Sequence, residues 1–428
     1  MKRLVRFGFL VLLFGCILCH VSAGAAGAGV KTGGLTAVIT VNPDYIKPAG
    51  TLFTFDASGC KDDKDSPAKL QVRWDWENDG TWDTGFTTVK TATHAYKDEG
   101  ARIVALQVKD TAGNTAVAYD RVITGWRPFS ENSPWNQKIA KGAKIDPHSE
   151  ELVQTLSYIY INIRKWSIPV YYIDSEATPK YNVGASRPGV VGDGFAEPNQ
   201  IPIPDGVIPS PPVGGDNHLC IIDKKKNLEW GMWWARKIGG EWTTGLGAVT
   251  DLTGTGVRPP VNTTQGFTSH AARASGFPLI AGLIRVEEIK NGRIDHALVF
   301  AYQRCRSEYF IPPASTSQCK MNGIDHYVGI PMGGRIQLDP SFDVERSGLS
   351  EIGKIIARAL QEYGAYCGDY AGATVLYAEN SPEAVKEWNK LGLTGETLKE
   401  VFNDEAVRKY FRVIDMGKLI VGQNYEEY

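Results

Sequence analysis

The sequence predicts a mainly β fold with a few helices. Short runs of alternating apolar and polar residues, frequent turn signals between them, and 46 glycines and 23 prolines in 428 residues all point there. At this length two or three domains are expected, with enough chain for a sizeable core. With 43% hydrophobic and 22% charged residues, the composition is that of an ordinary globular protein. The formal net charge of -2 gives no electrostatic reason to expect nucleic acid or an anionic membrane as partner. The basic triplet Lys224, Lys225 and Lys226 is too short to change that, and reads as a solvated turn.

In chain order, residues 1–6 (MKRLVR) form a basic n-region, 7–19 an apolar h-region, and Val21, Ser22 and Ala23 a small-residue cleavage site. A signal peptide over residues 1–23 is therefore expected, and with it secretion or display at the cell surface. The stretch Leu13, Phe14, Gly15, Cys16 loosely resembles a lipobox, so a lipoprotein is the alternative. No later run has the roughly 18 apolar residues of a membrane span. Residues 24–34 are a Gly/Ala-rich linker. Of the 7 cysteines, Cys16 and Cys19 leave with the signal. Export permits disulfides. Cys305 and Cys319 flank the loop-like "RSEYFIPPASTSQ" and are the expected pair, Cys220 and Cys367 the next, with Cys60 left free. No CxxC spacing or Cys/His cluster argues for a metal, and no cofactor is expected.

Residues 35–124 carry "LTAVITV", "LFTFDASG", "LQVRWDWENDGTWDTG", "ATHAY" and "ARIVALQVKDTAGNTAVAYDRVIT", whose spacing reads as an antiparallel β-sandwich. On "FDASG", "VRWDWENDGTWDT", "ATHAY" and "VALQVKDTAGNTA", in that order, this stretch resembles a PKD domain. The resemblance implies an immunoglobulin-like sandwich, a common accessory module of exported bacterial and archaeal enzymes. It also implies a spacer or weak binding role with no catalysis of its own. Asp62, Asp63, Asp65, Asp75 and Asp79 have the hard oxygens calcium takes. Turn chemistry accounts for them as well, and "DWENDGTWD" lacks EF-hand spacing.

Residues 125–428 are expected to form a larger, jelly-roll-like β domain with helices against one side. A helix is expected from Asp146 and Pro147 onward, with Leu152, Val153, Leu156 and Ile159 as its buried stripe. Residues 197–216 are too proline-rich for regular structure and are expected to cross the surface as an extended segment. "SGLSEIGKIIARALQEYG" puts Ile352, Ile355, Ile356, Ala359, Leu360 and Tyr363 at helical spacing, with Gly364 where a terminating glycine belongs. A shorter helix, "SPEAVKEWNKLG", has Ser381 as cap and Pro382 at its first position. "HLCIID", "HAARASGFPLIAGLIR", "GRIDHAL", "RIQLDPSFDV" and "IARALQEYGAY" resemble a group of exported bacterial proteins that travel with carbohydrate-related modules. That resemblance implies the domain boundary and an extracellular setting, and assigns no catalytic residue.

The chemistry is sought in "LEWGMWWARK", residues 228–237, the densest part of a chain with 11 tryptophans. In a strand, Leu228, Trp230, Met232 and Trp234 point one way and Glu229, Gly231, Trp233 and Ala235 the other. The second face offers an acid, a gap and an indole, as a strand lining a sugar groove would. A hairpin with "NHLCIID" sets Ile222 opposite Glu229, Cys220 opposite Gly231 and His218 opposite Trp233. His218 and Glu229 are then about 13 Å apart, too far for a dyad yet able to line one groove.

Glycoside hydrolysis needs two carboxyls, about 5 Å apart for retention or about 6.5 to 9.5 Å for inversion, one kept protonated by an apolar setting. Glu229 among indoles has that setting. Asp295 and Asp369 are the candidate second carboxyls, with His218 and His296 as further acid/base candidates and Trp233, Trp230 and Arg273 as substrate contacts. Each has a plain structural alternative: a solvated sheet face for Glu229, a turn for Asp369, a strand cap for Asp295 and a core histidine for His296. A lyase would instead need a His or Tyr base and a group neutralising a uronate, for which Tyr363, Tyr366, Tyr370, Arg273 and Arg285 are available. No G-x-S-x-G, HExxH, P-loop or dinucleotide fingerprint is present, which disfavours serine hydrolases, zinc proteases and nucleotide enzymes. The expected function is that of an exported, monomeric carbohydrate-active protein acting as a glycoside hydrolase on a polysaccharide or cell-surface glycan. The alternatives are a polysaccharide lyase and a non-catalytic glycan-binding protein.

Overall fold

A computed structural model of the chain describes residues 27–28, 34–186, 192, 194–211, 215–260, 271–307, 309–317, 319, 328–395 and 397–421. The expected signal peptide and lipobox lie outside the described residues. The fold is mainly β: an N-terminal immunoglobulin-like β-sandwich and a larger β domain with a few helices. Two compact units are present, Met1–Asp44 with Ala49–Ile123, and Tyr45–Pro48 with Thr124–Tyr428.

In the first unit one sheet carries Gly27–Ala28, Val38–Asn42, Leu52–Asp56 and Thr91–Ala95, the other Gln71–Asp75, Gly100–Lys109 and Thr115–Thr124. Alternation along the strands sends every second side chain inward, so Ile39, Val41, Phe53, Phe55, Val72, Trp74, Leu106 and Val108 share one core. The acids of this unit serve its turns. Asp75 accepts the Asp79 and Gly80 amides, Asp62 those of Lys64 and Asp65, and Asp65 the Thr111 hydroxyl.

The second unit is built on a seven-stranded sheet in the order Thr397–Phe402, Ile159–Asn162, Val375–Tyr377, Leu298–Tyr302, Ala365–Tyr370, Arg335–Leu338, Phe411–Val413. Two of its pairs are parallel, Leu298–Tyr302 with Ala365–Tyr370 and Val375–Tyr377 with Ile159–Asn162. A four-stranded sheet orders Leu246–Asp251, Leu228–Trp233, Leu219–Asp223 and Val170–Tyr172. Its hairpin has the expected register, Ile222 opposite Glu229 and Cys220 opposite Gly231. Both faces of this sheet are covered. Cys220 and Ile222 join the main core, whereas Leu219, Ile221, Trp230 and Met232 join a second core with Val183, Phe195, Ile201 and Ile203. Continuous burial explains the unbroken apolar run in "LCII". It also corrects the expectation for residues 197–216, which send Ile201 and Ile203 into that second core rather than merely crossing the surface.

The helix Glu351–Glu362 begins at Ser350, whose hydroxyl accepts from Gly353 N (3.1 Å), and its chain reverses at Gly364 with φ +66°. Pro382–Lys390 starts on Ser381, which accepts from Ala384 N. The first expected helix is shorter than its apolar spacing suggests, spanning only Ser149–Val153, and Ile159 lies in a strand. Two local causes are visible. Ser157 and Thr374 exchange hydrogen bonds that tie the turn to the neighbouring strand (both 3.0 Å), and the run from Ile159 to Ile163 alternates β-branched residues, which suits a strand. Val286–Asn291 and Asp404–Tyr410 are helices the sequence reading did not anticipate.

Cys305 and Cys319 form the expected disulfide, with Cα atoms 5.5 Å apart. The second expected pair is not made: Cys220, on the four-stranded sheet, and Cys367, on the seven-stranded one, are buried free thiols, as is Cys60. No helix among the described residues is long and apolar enough to cross a membrane.

Candidate active site

Glu229 is only 1% exposed. Its Oε1 accepts from Leu279 N at 2.7 Å and its Oε2 from Ile280 N at 3.0 Å. Burial raises its pKa, opposed by those two amides and by Arg273 and Arg258. The gap at Gly231 is not open either, since a Cβ there would stand 2.8 Å from Glu229 Oε1 and 3.5 Å from Leu279 Cγ. Glu229 is therefore an internal anchor for the Leu279 segment, which corrects its expected place on a groove or a solvated face. Trp230 lies on the opposite face of the strand, buried in the second core, and is corrected from substrate contact to packing.

Asp295 and His296 are likewise committed inside the protein. Asp295 is 3% exposed, accepting Ile46 N (2.9 Å) on Oδ2 and Arg293 Nε (2.5 Å) on Oδ1. Nε2 of His296 lies 2.9 Å from Glu288 Oε1, and its Nδ1 donates to Ala297 O at 3.0 Å. Against the cost of burial, Arg285 and His296 hold the Glu288 carboxyl down to about 2. These groups are buried and their polar atoms are paired within the protein, apart from the cluster described next.

The remaining expected residues, His218, Asp369, Arg273 and Trp233, converge on one polar cluster. Four segments bring them there: the entry to the strand Leu219–Asp223, the end of Leu228–Trp233, the loop after residue 271, and the end of Ala365–Tyr370. Arg273 is 2% exposed, its guanidinium 4.6 Å over the Tyr377 ring, and Nη2 donates to Leu279 O at 3.0 Å. Among the described residues its Nε and Nη1 have no hydrogen-bond partner. Asp369 keeps partial solvent access. Crowding by protein pushes its carboxyl up to about 7, Asp216 adding to that push and Arg273 opposing it. His218, 4% exposed, is driven down to about 4 by burial, with Arg273 adding and Asp216 opposing. Its Nε2 also lacks a partner among the described residues. Burial and then Asp369 raise the Tyr377 hydroxyl well above its ordinary value.

Sequence reasoning missed two members of this cluster. Asp216, in "GGDNH", accepts Trp233 Nε1 at 3.2 Å. Its signal was faint: a lone acid in a Gly-rich loop two residues before a histidine. Tyr377 was hidden in a plain apolar strand. Beside them, Trp233 and Trp234 stack at 4.6 Å and 6°, both partly exposed. Trp234 can share that face with Trp233 because its backbone turns to φ +57° after the strand ends.

No protein-family model matches this chain, and no curated protein does. Among solved structures, the chain is similar to one described as "Structural basis for the promiscuous specificity of the carbohydrate- binding modules from the beta-sandwich super family", at 27% identity and TM-score 0.19 over 23% of this chain and 37% of that one. It is also similar to the PmoD soluble domain from Methylocystis sp. ATCC 49242 (18% identity, TM-score 0.16, 23% of this chain and 98% of that one). A third is the PKD domain from human VPS10 domain-containing receptor SorCS2 (16%, 0.17, 29% and 99%). At such TM-scores none of them bears on what this chain does.

The cluster has the elements of acid/base chemistry: a carboxyl poised near neutral pH, a second carboxyl in electrostatic reach, a neutral imidazole and a buried cation. In the first unit Asp75, Glu77 and Asp83 bring carboxylate oxygens within 4.8 Å of one another. Asp75 and Asp83 already accept backbone amides there, including Trp76 N on Asp83 at 2.8 Å.

Proposed function

We propose that this chain is an exported carbohydrate-active protein, a PKD-like accessory module followed by a catalytic domain that cleaves a polysaccharide. Asp369 is the general acid, Asp216 the second carboxyl, and the Trp233–Trp234 stack a platform for a sugar ring. The observation that supports this most directly is the pairing of Asp369, raised to about 7, with Asp216 whose charge contributes to the rise. Two carboxyls in one site, one of them kept protonated near neutral pH, are what glycosidic cleavage requires. A lyase is the second reading. It is favoured by the unpartnered Nε and Nη1 of Arg273, suited to a uronate carboxylate, and by the neutral His218 with its free Nε2, suited to proton abstraction.

A polysaccharide panel read both for new reducing ends and for the absorbance of unsaturated uronates separates the two. On any substrate the protein cleaves, Asp369→Asn is expected to lower turnover by about a hundredfold or more. Full activity in that variant would overturn the assignment of the acid.

A further inference from the structure

A cavity of about 580 Å³ lies between the segment 204–209, Asn217 and the hairpin strands Arg236–Ile238 and Glu241–Thr244. None of its lining residues belongs to the acid/base cluster. Tyr181 and Trp242 give it aromatic walls, and Arg236 and Lys237, both exposed, give it two cations against the single acid Asp205. Lys237 Nζ stands 5.0 Å from the Tyr181 ring centre and 5.8 Å from that of Trp242. Charge and ring faces can thus address one ligand together. Asn217 is fixed by its own bonds, Nδ2 donating to Pro211 O and Oδ1 accepting from Arg236 Nε at 3.4 Å. The cavity is also joined to the cluster by the chain itself: Asn217 follows Asp216, and Arg236 stacks its guanidinium 4.8 Å over Trp234.

We infer that this cavity is a subsite for an acidic saccharide, taking a uronate carboxylate on Arg236 and Lys237 while the Tyr181 and Trp242 rings pack against the sugar. This rests on the carbohydrate reading above and narrows its substrate class to uronate-containing polysaccharides. A neutral glycan would leave the positive charge at the cavity balanced only by Asp205.

The test is calorimetric titration of the full mature chain with oligogalacturonate, oligoglucuronate and oligomannuronate, each against its methyl ester, which keeps the sugar and removes the charge. At least one acid is expected to bind about tenfold or more tighter than its ester, and the preference is expected to shrink as salt rises. Arg236→Ala with Lys237→Ala is expected to abolish the preference and spare binding of the ester. Trp242→Ala, which removes the aromatic wall, is expected to weaken both. Equal affinity for acid and ester, no binding of any of the three acids, an undiminished preference in the double variant, or equally tight binding of polyphosphate would each overturn the subsite. Its failure is distinguishable from failure of the acid assignment, since Asp369→Asn is read by turnover and the double variant by binding preference.

Discussion

Asp369 and His218 depart from their ordinary pKa values in opposite directions for one reason, which is that burial disfavours the charged form of each. The consequences for stability have opposite signs. The fold holds its proton on Asp369 up to about 7, so that residue's contribution is complete below the unfolded carboxyl value and is lost as pH rises toward and through about 7. The fold resists protonating His218 down to about 4, so its contribution is present above the unfolded imidazole value and is lost as pH falls toward 4. Asp369→Asn removes the first dependence alone. Thermal melts are expected to show the variant more stable than the parent at pH 8 and little changed at pH 4; the reverse order would mean that Asp369 is stabilised as a carboxylate. Turnover that needs protonated Asp369 is expected to decline above about pH 7. Glu229→Gln tests a different role. An amide cannot accept from both Leu279 N and Ile280 N with the strength of a carboxylate, so stability is expected to fall by about 1 to 3 kcal/mol with turnover per folded molecule retained. A hundredfold loss of turnover at unchanged stability would return Glu229 to the chemistry. The alternation that sets Glu229 apart from Trp230 was legible in the sequence, but what covers that face was not. The covering segment, Leu279 and Ile280, lies fifty residues downstream, and nothing local marks it.

Elements were legible where local chemistry decides them. The capped helices starting at Ser350 and Ser381 and the hairpin between Leu219 and Trp233 all follow from cap residues, turn spacing and alternation. Elements decided by tertiary partners were missed: the shortened helix at Ser149, the helix Val286–Asn291, whose own Glu288 is buried against Arg285 and His296, and the two parallel pairs of the seven-stranded sheet, whose connections are too long for any local signal. Gly364 shows how strictly one position can be set. Its φ of +66° disfavours a side chain, and a Cβ there would fall 2.3 Å from Ile336 O in the adjoining strand. Gly364→Ala is expected to cost more than about 1 kcal/mol from backbone strain alone, measured by denaturant titration. Ser381→Ala, which only strands the Ala384 amide, is expected to cost about 1 kcal/mol. If the two variants are equally mild, the loop at Gly364 relaxes where close packing says it cannot.

At the scale of the whole molecule, sequence composition marks residues 124–125 as a junction, yet the larger unit also takes in Tyr45–Pro48. Those four residues are held by specific bonds. Ile46 N donates to the buried Oδ2 of Asp295 at 2.9 Å, Gly125 N donates to Lys47 O at 2.8 Å, and the Tyr45 ring carries the Arg127 guanidinium 4.9 Å from its centre. Burial already raises the pKa of Asp295 against the pull of Arg293 and Ile46 N. Removing that amide therefore leaves a buried carboxylate oxygen short of a donor, at a cost of about 1 to 3 kcal/mol. A protein beginning at Gly125 is expected to fold but to melt below one in which Ala49–Ile123 is replaced by a short Gly/Ser tie, so that Tyr45–Pro48 is kept. Restoring the segment as a free peptide would raise the melting temperature only weakly, because it lacks the tether that makes the contact intramolecular. Two proteins melting at the same temperature would show that the larger unit begins at residue 125 and that the Ile46 contact contributes nothing to its stability.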